Sequence, residues 1–335
     1  MIQQKKIGEW KGVDIISYTL QNSKGLKIEC LNFGAVLRSC FLPENPSLDI
    51  VLGFDSWEEY ASSLDLDNPP YFGAVLGRFA GRIAHGRFSL HGKEIQLAQN
   101  HGEHHIHGGK NSLCRSIWKA KTEGNTLIFE HTCPSGHEGY PGELKVEMSY
   151  SLSDENELIN SIRAFSTEDT IVNLTQHHYW NLDGHSSTVE NQSVYINSKR
   201  YLSKDAEHIP TGKVHEWSRI PMKDPLPQQL LDGIDHTFIL EKSNGVQALL
   251  KNHSNDWEMS VRSNQAACHI FIGCELPSHF KGKNGHTYHA KSGICFEMQN
   301  FPDAPNHPHF PSSYLEKDKI YQNDTIFHFE KRTHV

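Results

Sequence analysis

Four histidines within seven residues mark the first segment whose residue types could carry chemistry. The segment QNHGEHHIHGG, residues 99–109, contains His101, His104, His105 and His107. Because side chains alternate along a strand, the spacing of His105 and His107 could place two imidazoles on one face, as metal ligands require. The glycine pair that follows allows a sharp turn and a close backbone approach to a ligand. The segment is therefore compatible with a metal site, a site for a polar ligand, or a polar surface loop.

A second segment, NLTQHHYWNL at residues 173–182, alternates between a polar and a more apolar face. With a two-residue period, the polar face carries Asn173, Thr175, His177, Tyr179 and Asn181. A face of this composition suits a sugar better than a core. The alternative is a solvent-exposed strand face, with His178 as a hydrogen-bonded core histidine on the other side. His177 is the better candidate for chemistry because it shares its face with hydrogen-bonding groups.

A carboxylate interrupts an otherwise apolar strand in GICFEMQ, residues 293–299. Glu297 shares a face with Cys295 and Gln299, whereas the intervening side chains are apolar and point the other way. Burying a carboxylate in such a strand is costly unless the group is paired or functional. Glu297 is therefore a candidate general base. The alternative is an edge-strand glutamate in solvent.

Two further segments offer polar groups to a ligand. Asp235, in DGIDHTFIL at residues 232–240, could accept hydrogen bonds from a substrate or merely end a turn. Arg78 and Arg82, in GRFAGRI at residues 77–83, could donate to oxyanions or sugar hydroxyls, or form structural salt bridges. None of these segments is a phosphate-binding glycine loop, a nucleophile elbow or a zinc-protease motif.

The elements that must position these groups are mainly strands. Short alternating runs rich in Val, Ile, Phe, Tyr and Thr are separated by turn residues. They cover residues 26–30, 36–42, 86–90, 127–131, 144–152, 171–182, 192–196, 259–261, 268–273, 293–299 and 325–329. Helices are predicted only at 56–63, with Ser56 as N-cap, and at 226–231. The pattern predicts an all-β fold, an antiparallel sandwich or barrel, and the lack of a linker favours one domain over residues 1–335.

Composition narrows the function classes. The net charge of −8 argues against nucleic-acid binding, and no apolar run approaches the ~20 residues of a membrane span. The N-terminal residues show no secretory signal, and the seven cysteines form no CxxC pair. We therefore expect a cytoplasmic protein with reduced, buried thiols. The unusual feature is the count of 23 histidines.

Taken together, these segments resemble the aldose 1-epimerase (galactose mutarotase) family. Eight motifs occur in the family's order between residues 31 and 329: LNFGAVLRSC, VLGFDSWEEY, YFGAVLGRFAGRI, QNHGEHHIHGG, VNLTQHHYWNL, HIPTG, GIDHTF and GICFEMQNFPDAPN. The resemblance implies a large antiparallel β-sandwich, or supersandwich, with a sugar cleft across one face. It also implies interconversion of the α and β anomers of a free aldose such as galactose or glucose, with neither cofactor nor metal.

The resemblance carries roles to individual residues. It implies that Glu297 is the general base and His177 the general acid, and that the sugar is held by Arg82, His107 and Asp235. Two candidate substrate-binding positions depart from the family's pattern. Gly81 stands where Asn is common, and His269, in AACHIFIG, stands where Gln is common. Both positions lie near substrate hydroxyls in the family, so a preference for galactose does not follow from the resemblance.

Three other interpretations stay open at this point. One is a non-catalytic sugar-binding or sensing protein of the same fold, which the presence of both Glu297 and His177 argues against. Another is a metal-dependent β-sandwich or cupin-like enzyme built on the histidine segment. The third is an epimerase of a phosphorylated or modified sugar, although the sequence shows no clear basic cluster for it. The expected partner is a small-molecule sugar, and the oligomeric state is not predicted.

Overall fold

The structure, a computed structural model, describes residues 2–217, 219–227, 233–243, 245–273, 276 and 281–332. Strands dominate these residues. In chain order they are β1 (Gln3–Trp10), β2 (Val13–Gln21), β3 (Lys27–Leu31), β4 (Leu37–Phe41), β5 (Val75–Leu76), β6 (Arg82–Ile83), β7 (Arg87–Leu90), β8 (Lys93–Gln96), β9 (His105–Ile106), β10 (Lys119–Glu123), β11 (Thr126–Cys133), β12 (Leu144–Leu152), β13 (Glu157–Ser166), β14 (Thr170–Ile171), β15 (Thr175–Gln176), β16 (Tyr179–Trp180), β17 (Gln192–Ile196), β18 (Ser198–Lys204), β19 (Pro210–Glu216), β20 (Asp235–Leu240), β21 (Ala248–Asn252), β22 (Trp257–Ser263), β23 (Ala267–Phe271), β24 (Ile294–Gln299), β25 (Tyr314–Leu315) and β26 (Ile320–Lys331).

Two large antiparallel sheets form the sandwich. The eight-stranded sheet runs β10-β11-β12-β13-β26-β22-β21-β17, and the six-stranded sheet runs β16-β24-β23-β20-β18-β19. Apolar side chains of both sheets share one core, for example Phe129 and Met148 of the first with Ile270 and Phe296 of the second. Strands β1 to β4 form a third sheet, which adds Ile28 and other side chains to this core. The predicted antiparallel β-sandwich is confirmed.

The helix predicted at residues 56–63 is present as α1 (Trp57–Ser63). Glu59 N–H donates to Ser56 Oγ at 3.3 Å, and Ser56 N–H donates to the Glu59 carboxylate at 2.9 Å. This reciprocal capping box satisfies two backbone donors that a helix start otherwise leaves free. Residues 228–231 of the second predicted helix lie outside the described residues. None of the helices in the described ranges has the length and apolar character needed to cross a bilayer.

The strand predicted over residues 171–182 is wrong as one continuous element. The segment forms three two-residue strands, β14, β15 and β16, which pair with β25, β5 and β24 respectively. Between β14 and β15 the side-chain amide of Asn173 bonds to the backbone of two neighbouring loops. It donates to Ala80 O at 3.0 Å and accepts from Asn300 N–H at 2.8 Å. The alternation of side chains nevertheless persists, because His177 and Tyr179 line a cleft whereas Trp180 lies in the core.

His178 is a core histidine, but the hydrogen bonds expected for its ring are not formed within the described ranges. Its ring lies 5.5 Å from that of Trp180 and 5.8 Å from that of Phe327, and within the described ranges neither ring nitrogen has a hydrogen-bond partner. Burial lowers the pKa of His178 to about 3, because the apolar surroundings disfavour the charged imidazole.

This burial makes His178 a source of acid sensitivity. The pKa of His178 is lower in the folded than in the unfolded chain. Above pH 6.5 the residue is neutral in both states, so its titration does not change the free energy of unfolding. As the pH falls from 6.5 towards 3, only the unfolded chain gains the proton, and folding stability is lost. At pH 5 the loss is about 2 kcal/mol. We therefore expect the free energy of unfolding, measured with urea, to fall between pH 7.5 and pH 5 by about 2 kcal/mol less in His178→Leu than in wild type. Parallel losses in the two proteins would contradict this assignment.

Candidate active site

A cleft of about 590 Å³ opens on the face of the six-stranded sheet opposite the core. This volume falls within the ~300–1,000 Å³ of small-molecule sites. Neighbouring positions of β24, β23 and β20 place Glu297, His269 and Thr237 in one row across the sheet floor. The structure brings together all seven site residues expected from the sequence, since the cleft is lined by Gly81, Arg82, His107, His177, Asp235, His269 and Glu297.

A carboxylate and an imidazole face each other in the cleft. Glu297 Oε1 lies 3.6 Å from His177 Nε2, and the two residues are only 2% and 5% exposed. Oε2 of Glu297 is buried and has no hydrogen-bond partner in the part of the chain that the structure describes. The alternative of a solvent-exposed edge glutamate is therefore wrong. The pair provides a proton acceptor and a titratable imidazole at one point of the cleft.

Aromatic rings and the backbone fix the orientation of His177. Its ring stacks on Tyr179 at 4.9 Å, and the Tyr71 ring lies 6.1 Å away. The backbone N–H of His177 donates to Ala74 O at 3.0 Å. Burial lowers the pKa of His177, although the nearby Glu297 carboxylate opposes that shift. A protonated His177 is therefore a stronger acid than free imidazolium.

Gly81 positions His107 at the edge of the cleft. Gly81 N–H donates to His107 Nδ1 at 3.2 Å, so the proton of the neutral ring lies on Nε2. Burial lowers the pKa of His107 well below its usual value, which keeps the ring a neutral donor. Gly81 has φ +78°, and a Cβ there would approach the Pro302 side chain to 2.9 Å. An asparagine at this position would require Pro302 to move.

Three nitrogen-bearing side chains surround Asp235. Its Oδ2 accepts from Lys204 Nζ at 2.6 Å and lies 2.5 Å from His208 Nδ1, and its Oδ1 lies 2.8 Å from His269 Nε2. Burial opposes ionisation, but the hydrogen bonds from His208 and His269 and the charge of Lys204 hold the pKa of Asp235 far below its usual range. A carboxylate offers about four lone-pair directions, so roughly one is left for a sugar hydroxyl.

Lys204 and His208 were not predicted as site residues. Lys204 comes close to Asp235 through the pairing of β18 with β20, and His208 begins the quoted motif HIPTG but was assigned no role there. Tyr71 was also missed. It begins the quoted motif YFGAVLGRFAGRI but lies outside the regular strands, and its ring is 4.9 Å from that of His107. All three line the same cleft as the predicted residues. Of the three, only Lys204 lies outside every quoted motif and has no local signal in the sequence.

Lys204 provides a test of this network. We expect Lys204→Met, which keeps the aliphatic stem but removes the charge, to raise KM about tenfold with little change in kcat, because a charge-assisted hydrogen bond that orients Asp235 is lost. Initial-rate polarimetry over a range of sugar concentrations measures both constants. Lys213→Met, an exposed lysine on β19, is the matched control. An unchanged KM would contradict a role of Lys204 in binding.

The histidine segment does not form the strand face expected for metal ligands. Strand β9 ends at Ile106, and His107 has φ +50°, so His105 and His107 point in different directions. His105 is held by Ala98 O at 2.6 Å and by the Tyr140 hydroxyl at 2.7 Å, which occupies both ring nitrogens. Across the described ranges, no group of three His, Cys, Asp or Glu side chains is arranged to hold a metal ion.

Arg78 is a structural residue. Its guanidinium donates to the carbonyl oxygens of Cys133 at 2.9 Å, Pro134 at 3.0 Å and Pro141 at 3.0 Å, and its side chain is buried. Arg82 instead lines the cleft, where its Nη2 lies 3.4 Å from His101 Nε2. Of the two arginines singled out in the sequence, only Arg82 is placed to meet a ligand.

An all-β sandwich whose cleft holds a buried carboxylate and imidazole among hydrogen-bonding groups fits an acid–base isomerase of sugars. The chain belongs to the aldose 1-epimerase family, whose model matches residues 17–328. Its curated relatives include the galactose mutarotases of Sus scrofa (35% identical, 93% of each chain) and Homo sapiens (36%, 91% of each). The aldose 1-epimerase of Haemophilus influenzae is 32% identical over 92% of this chain and 93% of its own.

Solved structures agree with this assignment. A galactose 1-epimerase from Lactobacillus acidophilus matches with a TM-score of 0.86 at 25% identity, covering 99% of both chains. An aldose epimerase homologue from C. elegans matches with a TM-score of 0.87 at 25% identity, covering 94% of this chain and 98% of its own. The protein is therefore an isomerase that interconverts the anomers of aldoses, and a non-catalytic sugar-binding protein is not favoured.

Proposed function

We propose that this enzyme anomerises free aldoses with Glu297 as general base and His177 as general acid. One observation carries the proposal. Oε2 of Glu297, which has no hydrogen-bond partner among the residues that the structure describes, and the Nε2 edge of His177 meet in the same cleft. Epimerisation at C1 of a pyranose requires removal of the proton of the anomeric hydroxyl and protonation of the ring oxygen. A carboxylate and an imidazolium on either side of the C1–O5 bond meet both requirements.

The proposed reaction begins with Glu297 taking the O1 proton while His177 gives its Nε2 proton to O5. The C1–O5 bond breaks, and its electron pair goes to O5 as the C1–O1 bond becomes a carbonyl. The open aldehyde turns about C1–C2 and presents its other face. Glu297 then returns a proton to O1 and His177 removes the proton from O5, so both residues end in their starting states.

The surrounding groups are proposed to orient the sugar. Arg82 and the Nε2–H of His107 donate to hydroxyls, and Asp235 accepts from one, while Gly81 and His269 shape the wall and floor. Holding the open aldehyde in this position raises the chance of ring closure within the site. Galactose is the first substrate to test, because relatives are named galactose mutarotases. Glucose is the second, because Gly81 and His269 depart from the family's usual residues.

The test is polarimetry of freshly dissolved α-D-galactose and α-D-glucose with the purified full chain. We expect mutarotation far above the spontaneous rate for at least one sugar, unchanged by EDTA. Binding of both sugars by calorimetry without any rate increase would overturn the proposal. Loss of activity in EDTA with recovery on adding zinc would instead support a metal-dependent reaction.

We also infer that the chain is one domain in a reducing compartment such as the cytoplasm. The single-domain proposal is supported by a core that contains residues from Tyr18 to Phe329. The compartment is supported by six cysteines that are free and buried: Cys30, Cys40, Cys114, Cys133, Cys268 and Cys295. The seventh, Cys274, lies outside the described residues.

A further inference from the structure

A thiol lies against the side of His177 that faces away from Glu297. Cys295 Sγ is 3.4 Å from His177 Nδ1, within the range of a sulfur hydrogen bond. The pairing of β16 with β24 sets Cys295 directly opposite Tyr179, the residue on which the His177 ring stacks. Cys295 is fully buried, so its distance from the imidazole is set by the sheet. The proposed reaction uses only Nε2 and leaves this contact without a role.

The Cys295 thiol is neutral in this environment. Burial raises its pKa well above the usual value, and the negative charge of Glu297 raises it further. A neutral thiol can donate through S–H and can also accept weakly at sulfur. The sulfur can therefore accept a hydrogen bond from a protonated Nδ1 of His177.

We propose that Cys295 is a positioning residue whose thiol satisfies Nδ1 of His177 in both protonation states of the reaction. This inference rests on the proposed acid role of His177. When His177 is an imidazolium, Nδ1–H donates to the sulfur. After Nε2 has given its proton to O5, the neutral ring keeps its proton on Nδ1, which still donates to the sulfur. The lone pair of Nε2 is then free to take the proton back.

The consequence of this arrangement is that a proton can leave and return at Nε2 without stranding a buried polar atom at Nδ1. A buried N–H without a partner is costly, and without the thiol the imidazolium would bear that cost because its Nδ1–H points at residue 295. The neutral ring can avoid the cost by carrying its single proton on Nε2. Removing the thiol therefore disfavours the charged form of His177 specifically. Substrate contacts elsewhere in the cleft are left in place.

The experiment compares Cys295→Val, which has no hydrogen-bonding group, with Cys295→Ser, which keeps one. We expect kcat of the valine variant to fall about tenfold with KM nearly unchanged. The pH above which kcat declines, where His177 loses its proton, should be lower by about one unit. The serine variant should regain most of kcat and the wild-type limb. Cys268→Val is the matched control, because Cys268 is equally buried on the neighbouring strand β23 but faces the core.

A measurement independent of activity uses ¹⁵N-histidine-labelled protein, with the His177 signals assigned by their loss in His177→Asn. The Nδ1 shift of His177 should move in Cys295→Val and return in Cys295→Ser. An unchanged shift and limb in the valine variant would overturn the inference, as would a serine variant as slow as the valine one. Failure of the proposed function is recognised separately, because His177→Asn would then keep the wild-type rate.

Discussion

Replacing Glu297 by glutamine is expected to lower kcat for mutarotation by about 10³-fold. The amide has the same shape as the carboxylate, but it cannot take the proton of the anomeric hydroxyl. Because Glu297 Oε2 has no hydrogen-bond partner within the described ranges, the substitution breaks no contact there, and KM should change little. Polarimetry measures the rate, and circular dichroism shows whether the fold is kept.

The matched control for this variant is Glu147→Gln, which changes a half-buried glutamate on β12 of the other large sheet. It should keep the wild-type rate, so a loss confined to Glu297→Gln identifies a local chemical effect. A Glu297→Gln variant that folds and retains near-wild-type kcat would contradict the assignment of this residue as the base.

The second large effect is expected for His177→Asn, which should lower kcat by about 10²–10³-fold. Asparagine retains a donor near the position of one ring nitrogen but has no acidic proton to give to O5. Tyr179 would lose its stacking contact and the Cys295 thiol its hydrogen-bond contact with the imidazole ring. The pairing of β16 with β24 is made by the backbone and does not depend on these two contacts. Polarimetry at several sugar concentrations separates kcat from KM.

His178→Leu is the natural control for this variant, because it changes the adjacent histidine on the opposite face of the segment. At neutral pH it should leave the rate unchanged, since His178 contacts Trp180 and Phe327 in the core. Equal losses in the two variants would indicate a structural effect of disturbing residues 177–178 rather than removal of an acid.

Much of the sheet architecture could be predicted from local alternation. Strands β12 and β17 have the predicted bounds, and the two faces of β24 are those expected, with Glu297 in the cleft and Phe296 in the core. These strands have one apolar and one polar face, which is the signal that a period of two detects. The N-terminal strand β1 was not predicted, because most of its side chains are exposed and its sequence QQKKIGEW lacks that contrast.

The candidate site was predicted by residue type more than by geometry. Glu297 and His177 stood out because each is a titratable group in a segment with regular alternation. The pairing of His105 with His107 was wrong because His107 adopts a left-handed backbone conformation that alternation does not describe. Lys204 could not be found, because its contact with Asp235 links residues 31 positions apart in sequence.

The histidine excess is consequently not a sign of one shared function. His177 and His107 lie in the cleft, His208 and His269 contact Asp235, and His105 holds a loop through both ring nitrogens. Only the first of these is proposed to exchange a proton with the sugar. The others act as neutral donors, as partners of a carboxylate, or as structural groups.

The double variant Glu297→Gln/His177→Asn tests most directly whether the two residues act as one pair in ring opening. If both serve the same step, removing the second residue costs little once the first is gone, because residues that act as a unit are strongly non-additive. We predict that polarimetry will show the double variant within about threefold of the slower single variant. Losses that multiply, or single variants that keep the wild-type rate, would contradict the account.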